Sequence, residues 1–104
     1  MPNANPGEVW MADLGMQAKV RPVLILTPPP RDDEQAVVIV MSHTTSLHGY
    51  RWELSIPKSF LAEGAFNVGS LNTIPTVKLV RKLGALTPQE FALVREKLAE
   101  RLGL

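Results

Sequence analysis

Apolar residues run along this chain in short alternating or unbroken stretches, and only at the end do they take helical spacing. From Gly7 to Leu14, Trp10, Ala12 and Leu14 alternate with Val9 and Met11 behind a Pro6-Gly7 turn, which predicts a first strand. Pro22 to Thr27 is apolar on both faces, as expected of a strand covered on both sides. Pro28-Pro29-Pro30 stops it, because proline brings no N–H to a ladder and constrains the residue before it. After a polar turn, Arg31 to Gln35, a third strand is predicted over Ala36 to Met41, too apolar for a sheet edge. A polar loop from Ser42 to Gly49 then leads to a clean period of two. Tyr50, Trp52, Leu54 and Ile56 face one way, Arg51, Glu53 and Ser55 the other, predicting a half-buried strand.

Pro57 to Ala62 reads as a short helical turn, and Phe66–Leu71 and Lys78–Leu83 as two further strands with a loop, Asn72 to Thr76, between them. Thr87-Pro88-Gln89-Glu90 combines a capping-box pair with proline at the first helical position. Phe91, Val94, Leu98 and Leu102 then recur at helical spacing, and Gly103 supplies a stop, so a helix is predicted over about 87–102. Five or six strands within 7–83 and one terminal helix point to a mainly β fold. The expected form is a small curled antiparallel sheet or barrel, not a βαβ arrangement.

Composition narrows the chemistry. With 104 residues, 45% of them hydrophobic, the chain fits a single domain, 1–104, with a real core and no linker or repeat. It has no cysteine, which excludes disulfides, thiolate metal sites and a thiol nucleophile. Two histidines are too few for a His-rich metal site. No apolar run approaches the roughly 18 residues of a membrane span, and Met1 to Pro6 shows neither a basic patch nor an apolar h-region. A soluble, cytoplasmic protein without a membrane role is expected. The net charge is only +1, so any nucleic-acid site must be local.

Three groups of polar residues remain once turns and solvated faces are set aside: Lys19 to Pro22, Ser42 to Thr45 with Arg51 behind, and the triplet Lys78, Arg81, Lys82. Arg21 lies where a buried strand emerges, a place from which a guanidinium fork suits phosphate and developing negative charge. A surface arginine, or one paired with Asp13, has the same sequence signature. Hydroxyls and an imidazole at Ser42, His43, Thr44 and Thr45 suit phosphate binding and proton transfer, and equally suit a loop that satisfies its own backbone. His48 reads as a loop residue, Asp32 to Glu34 as a solvated acidic turn, and the basic triplet as a sheet edge.

Taken together, these segments resemble a known family. Gly7-Glu8-Val9-Trp10 with Asp13-Leu14 resembles the opening strand of the MazF/PemK (Kid) toxins, G-[DE]-[IV]-[WY]-x-x-[DN]-[LF]. Arg21-Pro22-Val23-Leu24-Ile25-Leu26 is similar to their R-P-[VA]-[LV]-[IV]-[LI] strand, and Val38 to Thr44 to their third strand ending in threonine. Thr73 with Lys78-Leu79, and Gly84-x-Leu86 before the helix, also fit. The resemblance implies an SH3-like barrel forming a homodimer. It further implies a metal-independent, sequence-selective endoribonuclease of a type II toxin–antitoxin pair, which needs no cofactor, cuts single-stranded RNA and is neutralised by a cognate antitoxin.

Carried over residue by residue, Arg21 would stabilise charge or act as an acid, and Thr44 would hydrogen-bond phosphate or the 2′-OH. His43 joins them as a catalytic candidate by position. Lys19, Ser42, Thr45, Arg51, Thr73 and Lys78 are the candidates for holding RNA. Lys19, Arg21 and Arg51 are expected to make the groove locally basic. The short loop Gly15 to Val20 has no acid, and Gly69 to Thr73 lacks the family's glutamine. Two alternatives therefore stay open: a non-catalytic CcdB-like barrel that inhibits DNA gyrase, and an RNA-binding module without activity.

Overall fold

A computed structural model describes residues 3–15 and 19–104. Its strands are β1 (Glu8–Asp13), β2 (Val20–Ile25), β3 (Val37–Thr44), β4 (Glu53–Leu54), β5 (Ala65–Pro75) and β6 (Leu79–Ala85), and α1 spans Pro88–Leu102. The strands form one antiparallel sheet in the order β4-β5-β3-β2-β1-β6, so β2 and β3 are interior strands as their apolar runs require. The mainly β, SH3-like architecture with a terminal helix is thus the one the chain adopts.

Alternation of side chains divides the core in two. Val23 and Ile25 point to one face with Val38, Val40, Ile74 and Leu79, while Leu24, between them, points to the other with Val9, Met41, Phe66 and Val68. All of β2 from Val23 to Ile25 is consequently sealed from water. The second face is the one α1 covers, with Val94 fully buried and Phe91 and Leu98 packed beside it. The helix starts as its sequence requires: Thr87 Oγ1 accepts from the Glu90 N–H at 3.1 Å, and the Thr87 N–H donates to Glu90 Oε1 at 2.8 Å. It ends at Gly103 in the left-handed conformation, φ 73°.

Five expectations are corrected. The predicted strand Tyr50–Ile56 shrinks to the two residues Glu53–Leu54, because the Glu53 carboxylate turns back to accept from the N–H groups of His48, Gly49 and Tyr50. That folds the preceding residues into a loop, and Tyr50 is 67% exposed instead of buried. Pro57–Ala62 forms turns, closed by a Leu61 N–H to Lys58 C=O bond at 3.0 Å, not a helix. The expected loop Asn72–Thr76 is mostly strand: β5 runs unbroken through Asn72, Thr73 and Pro75. Beyond Asn67 it pairs only with β3, so its polar residues sit along an exposed side. Finally, Ser42, His43 and Thr44 are the end of β3, not a loop, and the predicted β6 extends to Ala85.

Candidate functional site

The site arises from one missing hydrogen-bond donor. Along β2, even-numbered residues direct their N–H groups to β3, as the Leu26 N–H to Ile39 C=O bond of 2.9 Å shows. Val23–Ser42, Leu24–Met41 and Ile25–Val40 are paired in that register, and the next rung would set Pro22 against His43. Pro22 has no N–H to give. The pairing with β2 stops there, and on its other side β3 shifts register against β5 between Met41 and His43. Where the pairing ends lies a cleft of about 450 Å³ lined by Lys19, Val20, Arg21, Pro22, His43, Thr45, Ser46 and Ala62.

Lys19, Arg21 and His43 line that cleft, and among the described residues no carboxylate does. Lys19 holds a left-handed backbone, φ 51°, unusual for a residue with a Cβ. Its N–H donates to the Gly15 carbonyl at 3.1 Å, and its carbonyl accepts from the Leu14 N–H at 2.8 Å. Arg21 stands on β2 opposite Ala12 of β1, so the ladder fixes the start of its side chain. His43 is only 5% exposed and meets the Phe66 ring edge-on at 5.0 Å. Burial pushes its pKa below the ordinary 6.5, leaving a neutral imidazole at pH 7.

His43 also lines a second cleft of about 370 Å³, with Ser55, Lys58, Glu63 and Gly64 among its walls. His43 and Ala62 therefore line both hollows. Lys58 in this second cleft is tied to Glu90 of the helix at 2.8 Å. Gly64 permits the arrangement, because a Cβ there would overlap the Thr44 carbonyl and press on the His43 ring. Gly64→Ala is expected to cost about 1–3 kcal/mol by overpacking and to lower the melting temperature by roughly 5–15 °C. A thermal melt identical to that of the unsubstituted protein would contradict this.

Of the residues singled out from sequence, Lys19, Arg21, His43 and Thr45 share the first cleft. Ser42 and Thr44 belong to the same strand end but do not line it. Ser42 is paired with Val23, and Thr44 Oγ1 accepts from the Ser46 N–H at 3.0 Å, shaping the turn that carries Thr45 and Ser46 inward. Three lie elsewhere. Arg51 stacks over Trp52, 4.7 Å from its centroid, and is ion-paired to Glu100 of α1. Thr73 pairs with Ile39 near the far end of β3, and Lys78 closes the short 3-10 turn before β6. The basic groove thus rests on Lys19 and Arg21 without Arg51.

Sequence reasoning did not single out Ser46 or Ala62, nor Ser55, Lys58, Glu63 and Gly64 of the second cleft. Only Gly64, beside an otherwise ordinary polar stretch, offered a signal. A larger hollow, about 810 Å³, follows the Pro28–Gln35 segment, but there Asp33 and Glu34 outnumber the single cation, Arg31, and disfavour an anion. Among the described residues no group of three or more His, Asp or Glu is placed to hold a metal ion. No helix among them is long and apolar enough to cross a membrane.

A six-stranded antiparallel sheet capped by one helix, with a cationic cleft where the pairing of β2 with β3 ends, defines a small mainly β protein with a polar surface site. The chain belongs to the PemK-like, MazF-like toxins of type II toxin–antitoxin systems, whose family model matches residues 5–102. Among solved structures it is similar to an endoribonuclease in complex with its cognate antitoxin from a mycobacterial species. Identity there is 27%, the TM-score is 0.80, and the match covers 97% of this chain and 96% of that one. The toxin MazF-mt6 of Mycobacterium tuberculosis matches at 26% identity and TM-score 0.74, over 93% of this chain and 97% of that one. A MazE–MazF structure from Deinococcus radiodurans, 20% identical with a TM-score of 0.83 over 99% of both chains, shares the fold. Among curated proteins there is no significant sequence match.

Proposed function

We propose that this chain is the toxin of its pair and acts as an endoribonuclease, cutting single-stranded RNA in the cleft between β2 and β3. One observation carries the reading: Lys19, Arg21, His43 and Thr45 share a cleft that no carboxylate lines among the described residues. Family membership and the 27% identical endoribonuclease support it. Cleavage requires a ribose 2′-OH to lose its proton and attack the adjacent phosphorus. The O2′–P bond forms, the P–O5′ bond breaks, and the departing 5′-oxygen takes up a proton, leaving a 2′,3′-cyclic phosphate and a 5′-hydroxyl.

The neutral imidazole of His43 accepts the 2′-OH proton. The Arg21 guanidinium meets the charge that grows on the phosphorane oxygens, where a planar fork of donors acts most strongly. Lys19 and the Thr45 hydroxyl hold the same phosphate, and Thr44 sets the turn that presents Thr45. Through the family resemblance the proposal extends to sequence-selective cutting, a homodimer and a cytoplasmic site of action. The mycobacterial complex supports a cognate antitoxin as the neutralising partner.

The lowered pKa of His43 provides a test. A base acts only when unprotonated, so the acidic limb of the pH–rate profile should lie below pH 6.5. His43→Gln should lower the rate by about 10²–10⁴-fold and remove that limb. Stability carries the same sign. With the folded pKa below the unfolded 6.5, the unfolded chain takes the proton first. His43 should therefore cost no stability above pH 6.5, and should weaken the fold as pH falls toward its folded pKa. Single-turnover cleavage rates across pH, with thermal melts at the same values, measure both. An acidic limb that survives His43→Gln removes the histidine from the mechanism.

A further inference from the structure

Every Trp and Phe among the described residues is buried or half-buried, whereas the protein's one tyrosine, Tyr50, is 67% exposed. It is not a loose ring. The His48 imidazole stacks on it with centroids 5.0 Å apart and planes 20° from parallel. Both residues belong to the loop 45–52, whose backbone is gathered by a single carboxylate. Glu53 accepts from the N–H groups of His48 at 2.9 Å, Gly49 at 2.8 Å and Tyr50 at 3.2 Å, and Gly49 makes the turn with φ 74°. The His48 amide above all, with those of Gly49 and Tyr50, holds the Glu53 carboxyl below its ordinary pKa.

Three hydrogen bonds to one anion thus fix two stacked rings in solvent, a costly arrangement of aromatic surface if it had no partner. The start of the same loop enters the cleft: Thr45 and Ser46 line it, and Ser46 to His48 is at most about 7 Å of chain.

We propose that the His48–Tyr50 stack is a platform for an unpaired nucleobase of the RNA strand that threads the cleft, with Glu53 as the residue that positions it. The inference rests on the ribonuclease reading of the cleft. Unpaired bases bind by stacking on exposed aromatic rings, and a parallel ring pair beside a phosphate-holding cleft offers that surface. Stacking is tolerant of base identity, so the platform fixes which nucleotide is splayed out, and hence the register of the strand over Arg21 and His43. Glu53 touches no RNA in this scheme. It keeps the rings where the strand passes.

The test uses a short single-stranded RNA with a 2′-deoxy sugar at the cleavage position, so that binding is read without turnover. Fluorescence anisotropy with Tyr50→Ala should show about tenfold weaker binding, while Tyr50→Trp should bind as the wild type does or more tightly. The salt dependence of binding should be unchanged in both, since no phosphate contact is lost. Glu53→Gln should weaken binding by a smaller factor without altering the acidic limb of the cleavage profile.

Tyr50 is exposed, so thermal melts of its variants should match wild type. Equal RNA affinity for wild type and Tyr50→Ala, with RNA still bound and cut, overturns the platform and leaves the ribonuclease reading intact. Failure of the wild type to bind or cut any RNA removes both. Loss of antitoxin binding by Tyr50→Ala, with RNA binding unchanged, assigns the rings to a protein partner and also overturns the proposal.

Discussion

Arg21→Ala is expected to slow RNA cleavage by roughly 10²–10³-fold, the usual consequence of removing a donor aimed at developing charge. The fold should survive. Arg21 is exposed at the start of β2, and the ladder that places it uses backbone groups opposite Ala12, which the substitution leaves untouched. Arg21→Lys should recover part of the loss, since a lysine keeps the charge but not the fork that grips two phosphate oxygens at once. Binding should also become less sensitive to salt, because one phosphate contact disappears. Single-turnover cleavage of a single-stranded oligonucleotide, with a thermal melt as control, measures all of this. Equal cleavage by wild type and Arg21→Ala would remove the cleft from the reaction.

Ending the chain before Thr87 is expected to leave no cooperatively folded protein at 25 °C. The lost helix contributes Val94, fully buried, and Phe91 and Leu98, partly buried, to the face that also holds Leu24, Met41, Phe66 and Val68. Side chains of this size stabilise by about 1.5–3 kcal/mol each when fully buried. The loss, with the sheet surface newly exposed to water, is comparable to the roughly 5–15 kcal/mol that holds a typical domain together. The Lys58–Glu90 contact goes as well, releasing a lysine that lines the second cleft. Circular dichroism and thermal melting of the truncated chain check this. A melting temperature equal to that of the full chain would show that the helix is an appendage and not a cover.

Legibility in the sequence followed how local each cause is. The helix was legible from Thr87 to Gly103 because its start and stop are written within a few residues as a capping box and a left-handed glycine. β2 was legible because three consecutive buried residues, Val23 to Ile25, fit only an interior strand. What could not be read depended on partners distant in the chain or on one side chain's choice of acceptor. The alternation from Tyr50 to Ile56 is genuine, yet Glu53 spends its carboxylate on three preceding amides and turns half the run into a loop. Asn72 and Thr73 look like loop residues because the pattern cannot show that β5 lacks a second neighbour there.

The site divides in the same way. Lys19, Arg21, His43 and Thr45 were legible because the Arg-Pro strand and the end of the third strand each mark their own position, and the sheet brings the two together. Arg51 sits as near to Thr45 in sequence as many true neighbours do. Nothing in the order of residues reveals that Trp52 gathers Arg51, Lys97 and Arg101 around one ring at 4.7–5.6 Å, drawing Arg51 to the helix. The net charge of +1 concealed two separate groups of cations: Lys19 with Arg21 at the cleft, and these three on Trp52, where Glu100 pairs with Arg51 and Lys97.

The proline that ends the pairing of β2 with β3 also decides when the work of opening is done. A slot held apart by packed side chains would breathe, and a strand entering it would wait for a minority conformation and lose apparent affinity in proportion. Here the separation is inherited from a ring that never had a hydrogen to offer, so the opening is complete once the sheet has formed. Association should then follow encounter, with little rearrangement between them. The side chains around the slot are also relieved of propping it open, so they can be exchanged to change what the slot admits without closing it.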